Sequence, residues 1–191
     1  IDPSVKKIAA GEFRNCQQLV EVELCEGLVK IDAYAFNGCK SLRRIKAPST
    51  LKVISANAFK DCSQLVAVEL SEGQERIEDG AFIGCKSLKR FKVPSTVKVI
   101  ATGAFIGCEQ LVAVEVCEGL EEIAASAFSC CKSLTHFKVP STVKLIGRCA
   151  FVECEQLEEV ELSEGLEEIG AYSFKECKSL KCVKTPSTVK K

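Results

Sequence analysis

Leu19-Val-Glu-Val22-Glu-Leu24 alternates apolar and polar residues with a period of two, the pattern of a short half-buried strand with Val22 and Leu24 pointing inward. Cys25-Glu-Gly27 follows it, as Pro48-Ser-Thr50 follows the next such run, and residues of these types end a strand in a turn. Ile31, Ala35, Phe36 and Cys39 then recur at separations of four, one and three, which predicts a short helical or 3-10 segment on the opposite side. This order of elements returns every 23 residues. Phe13, Phe36, Phe59, Phe82, Phe105, Phe128, Phe151 and Phe174 each precede a cysteine by three positions, Cys16 through Cys177, and a leucine by six, Leu19 through Leu180.

Eight copies of one unit in 191 residues predict a solenoid. Each unit is too small to bury its own apolar face, so residues 1–191 read as a single elongated domain with a continuous core. Stacking the units places their strands side by side in one parallel sheet. Function in such an architecture lies on a long repeated surface.

The run Cys39-x-x-Leu42-x-x-Ile45-x-Ala47-Pro48-x-x-Leu51-x-x-Ile54-x-x-x-Ala58-Phe59-x-x-Cys62 resembles a leucine-rich repeat of the Treponema pallidum type, also called BspA-like, and the likeness covers essentially the whole chain. The resemblance implies an α/β solenoid: a right-handed arc of eight 23-residue units with a concave parallel β-sheet and short helical or 3-10 segments on the convex side. It also implies a surface or secreted protein used in adhesion and binding, an association that belongs to the family and not to residues of this chain.

The units alternate in charge, so the working repeat is 46 residues, with Pro48, Pro94, Pro140 and Pro186 at that spacing. The outward strand position runs Glu23, Lys46, Glu69, Lys92, Glu115, Lys138, Glu161, Lys184, and a second column runs Lys52, Glu75, Lys98, Glu121, Lys144, Glu167, Lys190. Neighbours of opposite sign attract by about 0.2 to 1 kcal/mol each, and a one-unit slip would set like charges face to face, so the ladder favours correct register. One reading is a solvated, self-neutralised face. The other is a striped protein-binding face in which Val66, Ala67, Val112 and Ala113 form apolar strips between Arg44, Arg90 and the lysines. Its candidate residues are Glu23, Arg44, Lys46, Val66, Glu69, Arg90, Lys92, Val112, Glu115, His136, Lys138 and Glu161.

Lys plus Arg equals Asp plus Glu, 26 against 26, which disfavours nucleic acid and anionic membrane surfaces as partners. No apolar run approaches the roughly 20 residues that span a bilayer. The chain has no methionine and reads as an excerpt of a longer solenoid or a trimmed piece. The resemblance of Pro186-Ser-Thr-Val-Lys-Lys to Pro3-Ser4-Val5-Lys6-Lys7 leads to the expectation of head-to-tail self-association through uncapped ends.

Of the thirteen cysteines, eight form the column Cys16, Cys39, Cys62, Cys85, Cys108, Cys131, Cys154 and Cys177, which reads as buried, unpaired packing thiols. Cys25 and Cys117 share a slot with Ser71 and Ser163, a small turn position, and Cys130, Cys149 and Cys182 complete the count. Reduced thiols suit an intracellular setting, whereas the resemblance points to the cell surface. Without a Cys-x-x-Cys pair or histidine cluster, no metal or cofactor is expected.

His136 shares a column with Glu159 and Cys182, but two unit spacings of roughly 4.8 Å each separate His136 from Cys182, too far for a nucleophile and its base. No enzyme is expected. Gly27, Gly73, Gly119 and Gly165 read as tight or left-handed turn positions and not as a phosphate loop. The functional expectation is a non-enzymatic protein-binding or adhesion scaffold acting through its concave face. The alternative is a purely structural or self-assembling repeat, natural or consensus-designed.

Overall fold

The computed structural model describes residue 2 and residues 4–189, so Pro3 and the Lys190 position of the second charge column lie outside the described residues. Its strands, in chain order, are β1 (Lys7–Ile8), β2 (Lys30–Ile31), β3 (Arg44–Lys46), β4 (Val53–Ile54), β5 (Ala67–Glu69), β6 (Arg76–Ile77), β7 (Arg90–Lys92) and β8 (Val99–Ile100). They continue with β9 (Ala113–Glu115), β10 (Glu122–Ile123), β11 (His136–Lys138), β12 (Leu145–Ile146), β13 (Glu159–Glu161), β14 (Glu168–Ile169) and β15 (Cys182–Val183). Every pairing is parallel with partners 23 residues apart, as in Ile31↔Ile54 and Phe91↔Val114, so each unit is one rung of a parallel β-solenoid. We name each rung by its column cysteine: those opening at Cys16, Cys62, Cys108 and Cys154 are acidic, and those opening at Cys39, Cys85, Cys131 and Cys177 are basic.

The third side of each rung corrects the helical expectation: no helix occurs among the described residues. Ala35, Asn37 and Cys39 donate to the carbonyls three residues back, whereas Tyr34, Phe36 and Gly38 donate to Ala56, Ala58 and Lys60 of the next rung. Alternate amides therefore cross between rungs. A left-handed residue every fourth position, Tyr34 at φ 60° and Gly38 at φ 75°, makes this possible and forbids a continuous helix. The two left-handed columns contain Gly11, Asn57, Gly80 and Gly103, then Asn15, Gly38, Asp61, Gly84 and Gly107, residue types that enter this conformation readily.

Inside, the eight column phenylalanines stack with centroids 5.2–5.6 Å apart, and Phe91 and Phe137 pack edge-on or tilted against them. The column thiols from Cys39 to Cys177 each donate to the carbonyl of the phenylalanine 26 residues earlier, at 3.0–3.3 Å. All the cysteines are free, and those from Cys39 to Cys154 in the column are buried. A third core column runs Leu28, Leu51, Gln74, Val97, Leu120, Val143 and Leu166. Gln74 is buried like its neighbours, and neither polar atom of its side chain has a partner. At this rung the shorter-strand ladder breaks into β1-β2-β4 and β6-β8-β10-β12-β14, and a cleft of about 250 Å³ opens between Val53 and Arg76.

The longer-strand face is also not one sheet, a second correction. It divides into β3-β5, β7-β9 and β11-β13-β15, while the first acidic rung contributes the single bridge Glu21↔Arg44. β3-β5, β7-β9 and β11-β13 each join a basic rung to the acidic rung after it, and β13-β15 joins an acidic rung to the basic one that follows. The seams from acidic to basic also carry a side-chain clasp, which at the two middle ones stands without longer-strand pairing. Glu26 accepts from the Ser49 backbone N–H and hydroxyl at 3.1 and 2.9 Å, and Thr50 Oγ1 accepts from Gly27 N–H and donates to the Leu28 carbonyl, both at 2.8 Å. Glu72 with Ser95 and Thr96, Glu118 with Ser141 and Thr142, and Glu164 with Ser187 and Thr188 repeat it. Gly27, Gly73, Gly119 and Gly165 adopt φ of 100–108°, which aims their N–H groups at those threonines. The 46-residue period is thus a period of fastening: the Glu–Ser–Thr clasp recurs at each seam from acidic to basic, whereas longer-strand pairing recurs at each seam from basic to acidic and reaches the other kind only at its first and last seams.

Candidate protein-binding face

Period-two alternation sets which residues leave the core. In β3, β7 and β11 the middle residue, Ile45, Phe91 or Phe137, is buried and its flanks are exposed, so Arg44, Lys46, Arg90, Lys92, His136 and Lys138 project from one face. Glu69, Glu115 and Glu161 project likewise from the acidic rungs, and Val66 and Val112, 38% and 41% exposed, stand just before β5 and β9. Glu23 is exposed on the first acidic rung. All twelve candidates therefore share the longer-strand face. A cleft of about 620 Å³ at its N-terminal end is lined by Glu21, Glu23, Glu26, Arg44 and Lys46, over a floor of Val22, Leu24, Ala47 and Pro48.

The charge ladder is realised unevenly. Lys46↔Glu69, Lys92↔Glu115 and Lys138↔Glu161 are register partners, and the last closes an ion pair at 3.4 Å. In the second column Lys98 meets Glu121 at 2.6 Å, whereas Lys144 Nζ donates to the Gly165 carbonyl at 3.2 Å. Two neighbouring columns also pair across rungs: Lys181 with Glu158 at 2.7 Å, and Lys86 with Glu109 at 3.0 Å. The alternation Lys86, Glu109, Lys132, Glu155, Lys178 was present in the sequence and could have been found by extending the column analysis to positions next to the strand, whereas the column of Glu158 and Lys181 holds Val20, Val66, Val112 and Thr135 and changes sign only at its end.

His136, Glu159 and Cys182 are successive register partners across β11, β13 and β15, so Glu159 lies between the other two. Two strand spacings, roughly 9.6 Å, separate the histidine from the thiol. The column thiols from Cys39 to Cys177 are poor nucleophiles, because burial, partial at Cys177, pushes Cys39 and Cys177 to about 11 and the others higher. Among the described residues no group of three or more His, Cys, Asp or Glu is disposed to hold a metal ion, and no helix is long and apolar enough to cross a membrane. The clasp was missed in the sequence reading, although Glu-Gly in one unit facing Ser-Thr 23 residues later was its signal.

Parallel rungs, stacked core columns and an open strand face define a leucine-rich-repeat solenoid. The chain belongs to the BspA type leucine-rich repeat family, whose model matches residues 1–111 and 75–191. It is similar to the crystal structure of the T. pallidum leucine-rich repeat protein, with 32% identity and a TM-score of 0.76, covering 85% of this chain and 77% of that one. A leucine-rich cell surface protein of Faecalibacterium prausnitzii is 26% identical with a TM-score of 0.63, over 98% of this chain and 59% of that one. The pneumococcal vaccine antigen PcpA shares the fold at 23% identity and a TM-score of 0.69, over 98% of this chain and 50% of that one. No curated protein matches the chain in sequence.

Proposed function

We propose that the chain is a non-enzymatic protein-binding or adhesion scaffold whose partner docks on the longer-strand face. The observation that carries this is the outward row Val20, Val66 and Val112, 46%, 38% and 41% exposed, set between rows of arginine and lysine on an otherwise core-filling repeat. Apolar surface rimmed by charge is the composition of an interaction site, and rigid parallel rungs present it without a loop to order. The likeness to a cell surface protein supports an adhesive setting. Arg44→Glu/Arg90→Glu should abolish retention of an extracellular-matrix or lysate protein on the immobilised chain in surface plasmon resonance; retention equal to wild type overturns the reading.

The alternative, a structural repeat that self-assembles, is favoured by a different observation. Gln64-Leu-Val-Ala-Val68 and Gln110-Leu-Val-Ala-Val114 are identical, and the clasps and cross-rung ion pairs of the surface serve the stack itself. Rungs this alike can fasten between chains as they do within one, a heterologous contact that propagates. A concentration-dependent mass in light scattering supports it, and a monomeric mass at high concentration overturns it.

A further inference from the structure

The strand face is not uniformly neutralised. The basic rung opening at Cys39 exposes Arg43, Arg44 and Lys46, and the one opening at Cys85 exposes Lys89, Arg90 and Lys92. None of these six lies within ion-pairing distance of a carboxylate among the described residues, although corresponding cations further along are paired, Lys138 with Glu161 and Lys181 with Glu158. Between the two rows stand exposed Val66 and half-buried Ala67, with Glu69 as the one carboxylate of that strand row. A chain of zero net charge therefore carries two basic rows across a small apolar saddle, with Glu21 and Glu23 on the rung before them and Glu115 on the rung after.

We infer that this patch, on the face proposed above for protein binding, takes an extended acidic peptide in the polyproline II conformation, running along the stack with carboxylates three residues apart. The rows are two rungs apart, about 9.6 Å at the usual strand spacing. A polyproline II peptide advances about 3.1 Å per residue with three residues per turn, so side chains i and i+3 point the same way about 9.3 Å apart. A regular β-strand matches less well, because its side chains i and i+3 point to opposite sides. Each carboxylate meets two guanidinium or ammonium groups, and arginine offers it a bidentate fork. The backbone between carboxylates crosses Val66 and Ala67. A sulfated polysaccharide or other polyanion fits poorly, since its closely spaced charges would lie over that saddle and against Glu69.

The test is selection of a random 12-residue phage-displayed peptide library on the whole immobilised chain, in parallel with Arg44→Glu/Arg90→Glu and the neutral pair Arg44→Gln/Arg90→Gln. Circular dichroism first shows that both variants keep the wild-type fold. The expected result is enrichment of peptides with acidic residues at i and i+3, lost on both variants. A synthetic Glu-Pro-Ala-Glu peptide should bind about tenfold tighter in fluorescence anisotropy than its Glu-Glu-Pro-Ala isomer, equivalent to roughly 1.4 kcal/mol. Binding should also weaken as salt rises. Enriched peptides that need Arg44 and Arg90 but are not acidic overturn this inference while leaving the strand-face reading intact. Peptides indifferent to both variants, or no enrichment, overturn it as well. A heparin oligosaccharide that binds more tightly than any selected peptide, and is lost with the same variants, identifies a polyanion site and equally overturns it.

Discussion

The hydroxyl of Ser49 donates to the carboxylate of Glu26 at 2.9 Å, across 23 residues of sequence and one rung of the stack. It sits at a seam where the longer-strand ladder is reduced to one bridge, and the same contact recurs at 2.9 Å between Ser141 and Glu118, where longer-strand pairing is absent, and at 3.0 Å between Ser187 and Glu164, beside the paired strands β13 and β15. The clasp thus marks the seams from acidic to basic, where longer-strand pairing is intermittent.

Acid should loosen these seams. Hydrogen bonds from the Ser49 and Ser95 backbones and the Ser141 hydroxyl hold Glu26, Glu72 and Glu118 below their ordinary value of 4.5, and Lys30, with Lys7, does the same for Asp32 from 3.8. A carboxyl with a depressed folded-state pKa contributes stability that is present above its unfolded value and lost as pH falls through the folded one. The melting temperature should be level near neutrality and drop below pH 4.5. The triple variant Glu26→Gln/Glu72→Gln/Glu118→Gln should lower the neutral-pH melting temperature and flatten the acid limb in calorimetry.

Gln74 should be a liability to the fold. It occupies a column otherwise built of leucine and valine, with both amide atoms unpartnered, beside the break between β4 and β6. Leaving a buried amide unsatisfied costs about 1–3 kcal/mol. Gln74→Leu should therefore raise stability by that order in urea unfolding. If the ladder closes, hydrogen exchange at Glu75, Arg76 and Glu78 slows as well; an unchanged urea midpoint contradicts the account.

The phenylalanine stack should carry much of the cohesion between rungs. Phe105 is fully buried, stacked on Phe82 at 5.5 Å and Phe128 at 5.3 Å and met edge-on by Phe91. Phe105→Ala should cost about 3–5 kcal/mol, measured by denaturant unfolding, because a cavity in a close-packed column collapses poorly.

Thiol labelling should report the stack. Cys16 and Cys182 are exposed, whereas Cys39 through Cys154 in the column are buried, and burial raises their pKa. At mildly alkaline pH, intact-mass analysis with iodoacetamide should show rapid modification of the exposed pair. The six buried column thiols should react only after denaturant is added; equal reactivity of all thirteen would contradict the packing.

Much of the molecule was legible because its information is periodic. The columns of Phe, Cys and Leu and the outward Glu–Lys alternation are relationships at fixed spacing, and a parallel stack turns fixed spacing into contact. The third side was not read correctly. Ile31, Ala35, Phe36 and Cys39 bury the same face in a helix or in linked turns, and what separates the two is where each amide bond goes. The Gly, Asn and Asp of the left-handed columns carried that signal, diluted by Tyr34, Cys149 and Glu153 at equivalent positions.

By itself, the sequence determined the repeat length, the family, the buried columns and the twelve residues of the strand face, since each follows from which side chain recurs and how far apart. Tertiary structure decided at which seams the longer strands pair and at which the Glu–Ser–Thr clasp stands without them, that the ladder opens beside Gln74, and that Arg44 and Arg90 form no ion pair among the described residues while Lys138 and Lys181 find Glu161 and Glu158. The physical reason is that periodicity fixes which rung faces which, whereas hydrogen bonds and ion pairs depend on distances of a few tenths of an ångström. Those distances are set only when all the rungs settle against one another.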